Sequence, residues 1–323
     1  MHDAGTAEDR RTELTDIVFI GTAIMDSMIR GFDPEPVSSA GYRAESGYLS
    51  IGGEAVNGSV ASVKLGCNAA ILCTLGKDMA GDMIAARLAA QGVDTSRIVR
   101  SEDHPTPVTT IFMEPDGNRR SITNGSHRYN FHPERYPERF SDARAVVLGS
   151  LFRAPFNDPD VIKSVVTAAK ANGQLVFADT KLPNFRKLTL ADIADSLPMV
   201  DYISPNEDEA KWCTGEDDPE KMADVLLSYG VRNVIIKLGG RGCFFGGRSW
   251  SGYLPACKVD VVDATGAGDN FLAGFVSEIL RGRSDREALE FANACGAICS
   301  TAVGSGAALR NREQVEGLLA GQR

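Results

Sequence analysis

Short apolar runs recur along the chain: DIVFIGTAI at 16–24, AAILCTLG at 69–76, AVVLGS at 145–150, LVFAD at 175–179, YISPN at 202–206 and NVIIKLGG at 233–240. Most are β-branched and apolar at nearly every position, the pattern of strands covered on both faces. Between several of them lie stretches of helical period, among them AGDMIAARLAAQG and PDVIKSVVTAAKANG, the second closing on an Asn-Gly helix stop. This alternation predicts parallel strands joined by crossover helices. The expected fold is α/β, a central, mostly parallel sheet flanked by helices.

Two stretches depart from the rule. AGYRAESGYLSIGG at 40–53 and TPVTTIFMEPDGNRRSIT at 106–123 alternate polar with apolar residues, and the second centres on PDGN, a hairpin turn. Half-solvated antiparallel strands do not belong inside a parallel core, so these segments predict a small β-sheet lid with strands from about 28–52 and 105–126. No Pro/Gly-rich linker divides the chain, and residues 15–323 are expected to form one domain behind a polar N-terminal tail, 1–14.

Composition narrows the function classes. The 323 residues carry a net charge of −9, which argues against a nucleic-acid partner. No apolar run reaches the length of a membrane span, and the polar start lacks a signal-peptide pattern. Seven cysteines are scattered through apolar segments with no CxxC pair. Cys295 and Cys299 share a helix face, but no histidine lies near, so the reading is core packing by reduced thiols in a cytoplasmic protein.

The candidate chemistry begins at DATGAGDNFLAGF, 263–275. A strand-like VDVVD enters a turn of Gly266, Ala267 and Gly268, and a helical pattern follows from Asp269. Glycines between strand and helix let backbone N–H groups converge on an anion at the helix N-terminus. An acid at that point is stabilised by the helix dipole and can act as a general base.

This stretch resembles the C-terminal signature of the ribokinase-like (PfkB) carbohydrate kinases. Three further segments are similar to elements of that family, in its order: GGEAVNGSVASVKLG at 52–66, NEDE at 206–209 and IIKLGGRGCFF at 235–245. The resemblance spans residues 16–312 and implies ATP-dependent phosphorylation of a hydroxyl group. It makes Asp269 the base and the N–H groups of Gly266, Ala267 and Gly268 the anion hole for the transferring phosphoryl group. It places Asp26, Gly52, Gly53 and Asn57 on the sugar. Lys181, Asn206, Lys237, Gly239, Gly242, Thr265 and Asn293 fall on the nucleotide side, with Glu209 organising Mg2+ through water. Asp263, with carbonyls of STAVGSGAA at 300–308, would hold K+.

Plainer readings stand beside these. Asn206 and Glu209 can simply cap an acidic helix, Asn293 can be a satisfied polar residue, and Lys181 can be a solvated lysine. Glu54, where several family members have lysine or a small residue, would repel a phosphorylated acceptor and suggests a neutral sugar or polyol. Arg119 and Arg120 on the lid hairpin reach either substrate or solvent. The family's lids often pair two subunits, so a homodimer is expected. The rivals are a nucleoside kinase on the same scaffold, with Phe32, Tyr42 or Tyr48 as a base shelf, and a non-catalytic sugar or nucleotide sensor.

Overall fold

The computed structural model describes residues 14–31, 44–114, 119–125, 131–184 and 186–322. Residues 1–13 of the expected tail, the PDGN turn, Phe32 and Tyr42 lie outside them.

In chain order the strands are β1 (Ile17–Ile20), β2 (Ile24–Arg30), β3 (Ser46–Gly52), β4 (Ala69–Leu72), β5 (Thr74–Gly76), β6 (Val99–Ser101), β7 (Val108–Met113), β8 (Arg119–Thr123), β9 (Ala145–Leu151), β10 (Leu175–Thr180), β11 (Tyr202–Ser204), β12 (Asn233–Lys237), β13 (Cys243–Gly247) and β14 (Ser251–Leu254). The helices are α1 (Glu54–Lys64), α2 (Met79–Ala90), α3 (Pro159–Ala171), α4 (Glu207–Thr214), α5 (Pro219–Ser228), α6 (Ala267–Leu280), α7 (Asp285–Cys299) and α8 (Arg312–Gln322).

The main sheet runs β14-β13-β12-β11-β10-β9-β1-β4. It is parallel from β4 to β12, and β13 and β14 are added antiparallel at one edge. Its parallel strands are largely apolar because both faces are covered, while the edge strand β14 leaves Ser251 and Tyr253 exposed. In β1, Ile17 and Phe19 point into one core while Val18 and Ile20 point into the other; β4 and β9 divide in the same way. One core is closed by α1, α2, α6, α7 and α8, the other by α3, α4 and α5. Each fully buried branched side chain contributes roughly 1.5–3 kcal/mol, so the central strands anchor everything at their ends. Gly58 of α1 lies so near β1 that a Cβ there would sit 2.3 Å from the Phe19 ring.

Two of the apolar runs are cut where the structure changes sheet. The first ends its main-sheet strand at Ile20, and Ile24 already begins β2 of a second sheet. Likewise Ala69–Leu72 stays in the main sheet, while Thr74–Gly76 pairs with Val99–Ser101 in a separate two-stranded ribbon. Apolarity is continuous across both breaks because the residues stay buried, so hydropathy alone does not mark them.

The second sheet has the order β3-β2-β7-β8. The 106–123 segment forms the antiparallel pair β7–β8, β3 pairs antiparallel with β2, and β2 and β7 run parallel. Tyr48, Leu49 and Ile122 leave apolar surface exposed on this sheet. The VDVVD stretch, expected as a strand, is irregular and solvent-facing, with Val261 68% and Val262 60% exposed. It carries the chain from the edge strand β14 to α6, and its backbone turns to the end of α7, where the N–H groups of Val262 and Asp263 donate to the Ser300 carbonyl at 2.8 and 3.2 Å.

Candidate active site

Parallel strands deliver their carboxyl ends to one cavity of about 360 Å³. Thr22 lies beyond β1, Ser150 near the end of β9, Asp179–Lys181 at the end of β10, Asn206 after β11 and Lys237 at the end of β12. The N-termini of α1 and α6 complete the wall, bringing Gly53, Glu54 and Asn57 opposite Thr265, Gly266, Gly268 and Asp269.

The α6 terminus is built for an anion. Gly266 caps the helix with φ +79 and no side chain bonds to the first turn, which leaves N–H groups for a ligand. A Cβ on Gly266 would lie 2.3 Å from Cβ of Ser305, so both conformation and space require glycine. Of the three expected N–H donors, that of Ala267 already donates to the Ala264 carbonyl at 3.1 Å. At Gly268 a Cβ would come within 3.3 Å of the Lys237 Nζ, which shows how near that ammonium lies to the turn.

Asp269 occupies the first turn, where Asn57 Nδ2 donates to its Oδ2 at 2.7 Å. Burial pushes its carboxyl up to about 6; the Lys181 ammonium and the Asn57 hydrogen bond oppose the rise, while the charges of Asp179 and Glu54 add to it. Lys181 is half-exposed, 3.9 Å from Glu54 Oε2. Burial pulls its ammonium down, but Glu54, Asp269, Asp179 and Glu209 more than offset this and hold it above the ordinary lysine value. Glu54 itself accepts from the Thr22 N–H at 2.8 Å and the Thr22 hydroxyl at 2.6 Å. Its carboxylate is thus turned to Thr22 and Lys181.

Lys237 Nζ donates to Asp179 Oδ1 at 2.7 Å, with both side chains largely buried. Burial lowers the affinity of this ammonium for its proton, but the carboxylates of Asp179, Glu209 and Asp269 outweigh that and raise its pKa. Asn206 and Glu209 form a capping box at the start of α4: Asn206 Oδ1 accepts from Glu209 N–H and Glu209 Oε2 accepts from Asn206 N–H, both at 2.9 Å. Thr180 also donates to Glu209 Oε2, at 2.8 Å. The helix-capping reading is therefore present, and the same two residues line the cavity. Burial raises the Glu209 carboxyl, against the pull of Lys237.

A second cavity of about 230 Å³ adjoins the first, since Lys237 and Gly268 line both. Gly239, Gly242, Ala267 and Asn293 lie here with Val259, Val261 and Phe271, an apolar slot fit for a flat ring. Gly242 has φ +95 and its Cα is pressed against the Leu254 carbonyl. The Asn293 amide donates to the Pro255 carbonyl at 3.3 Å, so it is satisfied within the fold while facing the slot.

Three expected residues line neither cavity. Asp26 lies inside β2, paired with Ser50, its Oδ2 only 2.3 Å from where a Cβ on Gly52 would stand. Gly52 is thus pressed against Asp26, at the base of the small sheet. Asp263 accepts from the Thr265 N–H and hydroxyl through Oδ1, at 3.0 and 2.7 Å, and from Gly304 N–H through Oδ2 at 3.0 Å. Conversely, Asp179, Thr22, Ser150, Arg153 and Asn184 face the first cavity without having been expected there. Ser150 and Phe152 adopt φ +60 and +71, strain that clusters at functional sites. The available signal was an acid closing the apolar run LVFAD.

The profile of the pfkB family carbohydrate kinases matches residues 14–312. The 2-dehydro-3-deoxygluconokinase of Bacillus subtilis is 30% identical over 275 residues, covering 80% of this chain and 83% of that protein. The ribokinase of Haemophilus influenzae is 28% identical, covering 82% of this chain and 86% of its own length. Among solved structures, Arabidopsis thaliana ribokinase complexed with ribose and ATP superposes with a TM-score of 0.81 at 25% identity, over 95% of this chain and 99% of that one. A putative ribokinase II from E. coli in complex with ATP and Mg2+ gives 0.77 at 25% identity, over 95% and 99%. With a cavity that joins an anion-binding helix terminus, a carboxylate and two lysines, these likenesses have one reading: the chain belongs to the pfkB family of carbohydrate kinases and is an ATP-dependent enzyme of that class.

Proposed function

We propose that the protein transfers the γ-phosphoryl group of ATP to a hydroxyl of a small sugar, with Asp269 as general base. The observation that carries this reading is the placement of Asp269: at the N-terminus of α6, raised to about 6 and facing the cavity. Above that pH it is ionised yet basic enough to accept a hydroxyl proton as the oxygen attacks. Lys181 and Asn57 hold the carboxylate, and the N–H groups of Gly266 and Gly268 receive charge on the transferring group. Of the three proposed donors, Ala267 contributes by fixing the turn.

Gly239, Gly242, Asn293 and the apolar slot around them would take the adenine end, with Lys237 and Thr265 toward the phosphates. Asp179 and Glu209 bring hard oxygen donors to the same region, a set that suits magnesium, with Asn206 holding Glu209 in place. Bound there, the ion would neutralise phosphate charge. The small sheet would act as a lid that keeps water from the cavity, with Asp26 and Gly52 at its hinge edge meeting the sugar when it closes. The exposed Leu49 and Ile122, which share one cross-strand row and so one face of the small sheet, support a pairing of two lids in a homodimer. The free cysteines fit a reducing, cytoplasmic setting.

An ATP-consumption screen over pentoses, ketohexoses, sugar acids, polyols and nucleosides tests the proposal. Turnover with a sugar class and not with nucleosides is expected. Preferential turnover of a nucleoside would move the assignment to a nucleoside kinase, and silence across the panel would restore the sensor.

A potassium site at Asp263 is supported by the Gly304 N–H bond, which ties that acid to the late loop at 300–308. Replacing sodium with potassium is then expected to raise turnover. Equal rates in the two salts would remove the site from the proposal.

A further inference from the structure

Asn57 stands between the proposed base and the late loop. Its Nδ2 donates to Asp269 Oδ2 at 2.7 Å, and its Oδ1 lies 2.7 Å from Ser305 Oγ. A carboxylate only accepts, so the amide must turn its NH2 toward Asp269 and its carbonyl oxygen toward Ser305. With the amide so oriented by the carboxylate, the Ser305 hydroxyl is the donor, and its bond steadies the amide from the other side. Ser305 is in turn held in place: its carbonyl accepts from Asn270 Nδ2 at 2.8 Å, and its Cβ packs on Gly266. Lys64 Nζ anchors the same loop further on, donating to the carbonyls of Gly306 at 2.6 Å and Leu309 at 2.9 Å.

We propose that Ser305 is a positioning residue for phosphoryl transfer, orienting the Asn57 amide so that its N–H holds Asp269 toward the acceptor. The inference rests on Asp269 being the base. It makes the late loop, whose Ser305 lies 248 residues from Asn57 in sequence, part of the catalytic apparatus through a chain of two hydrogen bonds. When the carboxyl takes a proton, the Ser305 bond still holds the amide in place, and the base returns to the same geometry for the next turnover. Removing only the hydroxyl takes away the bond that steadies the amide, so its N–H is held less firmly on the carboxylate, which disfavours the ionised form.

Ser305→Ala keeps the Cβ that packs on Gly266, so the fold is expected to hold. The charged and titratable groups facing Asp269, which are Lys181, Lys237, Asp179, Glu54 and Cys299, are untouched by it. The readout is the carboxyl carbon resonance of Asp269 followed by NMR against pH, which needs no turnover. A rise of roughly half to one unit over wild type is expected. In parallel kcat should fall about tenfold with the KM for ATP unchanged, and in an Asn57→Ala background the same substitution should change kcat less than about twofold. A superimposable titration, or an equal loss in both backgrounds, overturns the proposal. A titration shift in Ser305→Ala, together with a wild-type protein that phosphorylates nothing on the panel, would count against the kinase assignment alone.

Discussion

Asp269→Asn is expected to lower turnover by ~10³-fold or more while ATP binding, read by calorimetry, stays near wild type. The amide has the shape of the carboxylate and still accepts from Asn57 Nδ2, so the α6 terminus keeps its geometry. What it loses is the ability to take a proton. Unchanged turnover would remove Asp269 from the role of base. The same substitution carries a second, opposite signature. The carboxyl holds its proton up to about 6 in the folded chain, against 3.8 when unperturbed. Between those values the folded chain binds more protons than the unfolded one, so its stability falls as pH rises, and above about 6 the whole cost is present. Two units correspond to about 3 kcal/mol as an upper bound. Asp269→Asn should therefore be more stable than wild type at pH 8 by about 1–3 kcal/mol in urea unfolding, with most of the gap closing by pH 4. A catalytic group that destabilises its own fold is the pattern of a site shaped for chemistry.

Much of the architecture was legible because the rules involved are local. Ile17 to Ile20 read as a doubly covered strand since every side chain finds a core, and α3 stops where Asn172 and Gly173 say it should. The glycine turn before Asp269 was legible because φ +79 is a local demand for glycine, while the contact at Ser305 that also excludes other residues comes from a distant part of the chain. What escaped depends on the third dimension. Val259–Asp263 has the composition of a strand, but its backbone bonds instead to the end of α7, where Val262 and Asp263 N–H both meet the Ser300 carbonyl. Ala267 belongs to the GAG motif, yet its N–H is consumed by Ala264 in shaping the turn. Asp179 was passed over beside Lys181, because nothing in LVFADTK says that its carboxylate meets Lys237, 58 residues on. Ser305 was an unremarked member of a loop, and only the packing of that loop on α1 and α6 gives its hydroxyl a partner.

The pair Asp179–Lys237 makes the second large prediction. Lys237→Met is expected to destabilise the protein by about 3–5 kcal/mol at pH 8, the cost of leaving a buried charge without its partner. Asp179 is 6% exposed and Glu209 8%, so removing the ammonium leaves two carboxylates facing each other with little water. One of them must then keep its proton. Glu209 is the candidate, since burial already raises its carboxyl and Lys237 is the largest force opposing the rise. With that restraint gone its folded pKa climbs further above 4.5, and the folded chain binds the extra proton more tightly than the unfolded one. Stability is then lost as pH rises, so the deficit should be largest at pH 8 and smaller near pH 5. A deficit independent of pH would mean that Lys237 contributes through packing of its stem instead. Phosphoryl transfer should fall roughly 10²–10³-fold, as when a preorganised charge donor is removed. Adding Asp179→Asn separates the two roles. The double variant deletes the unpaired acid and should recover most of the stability, because a buried pair replaced as a unit costs far less than one broken in half. It should not recover activity, because nothing in it restores a cation beside Gly268, where the transferring charge is proposed to develop, and it also removes the Asp179 oxygens proposed for magnesium.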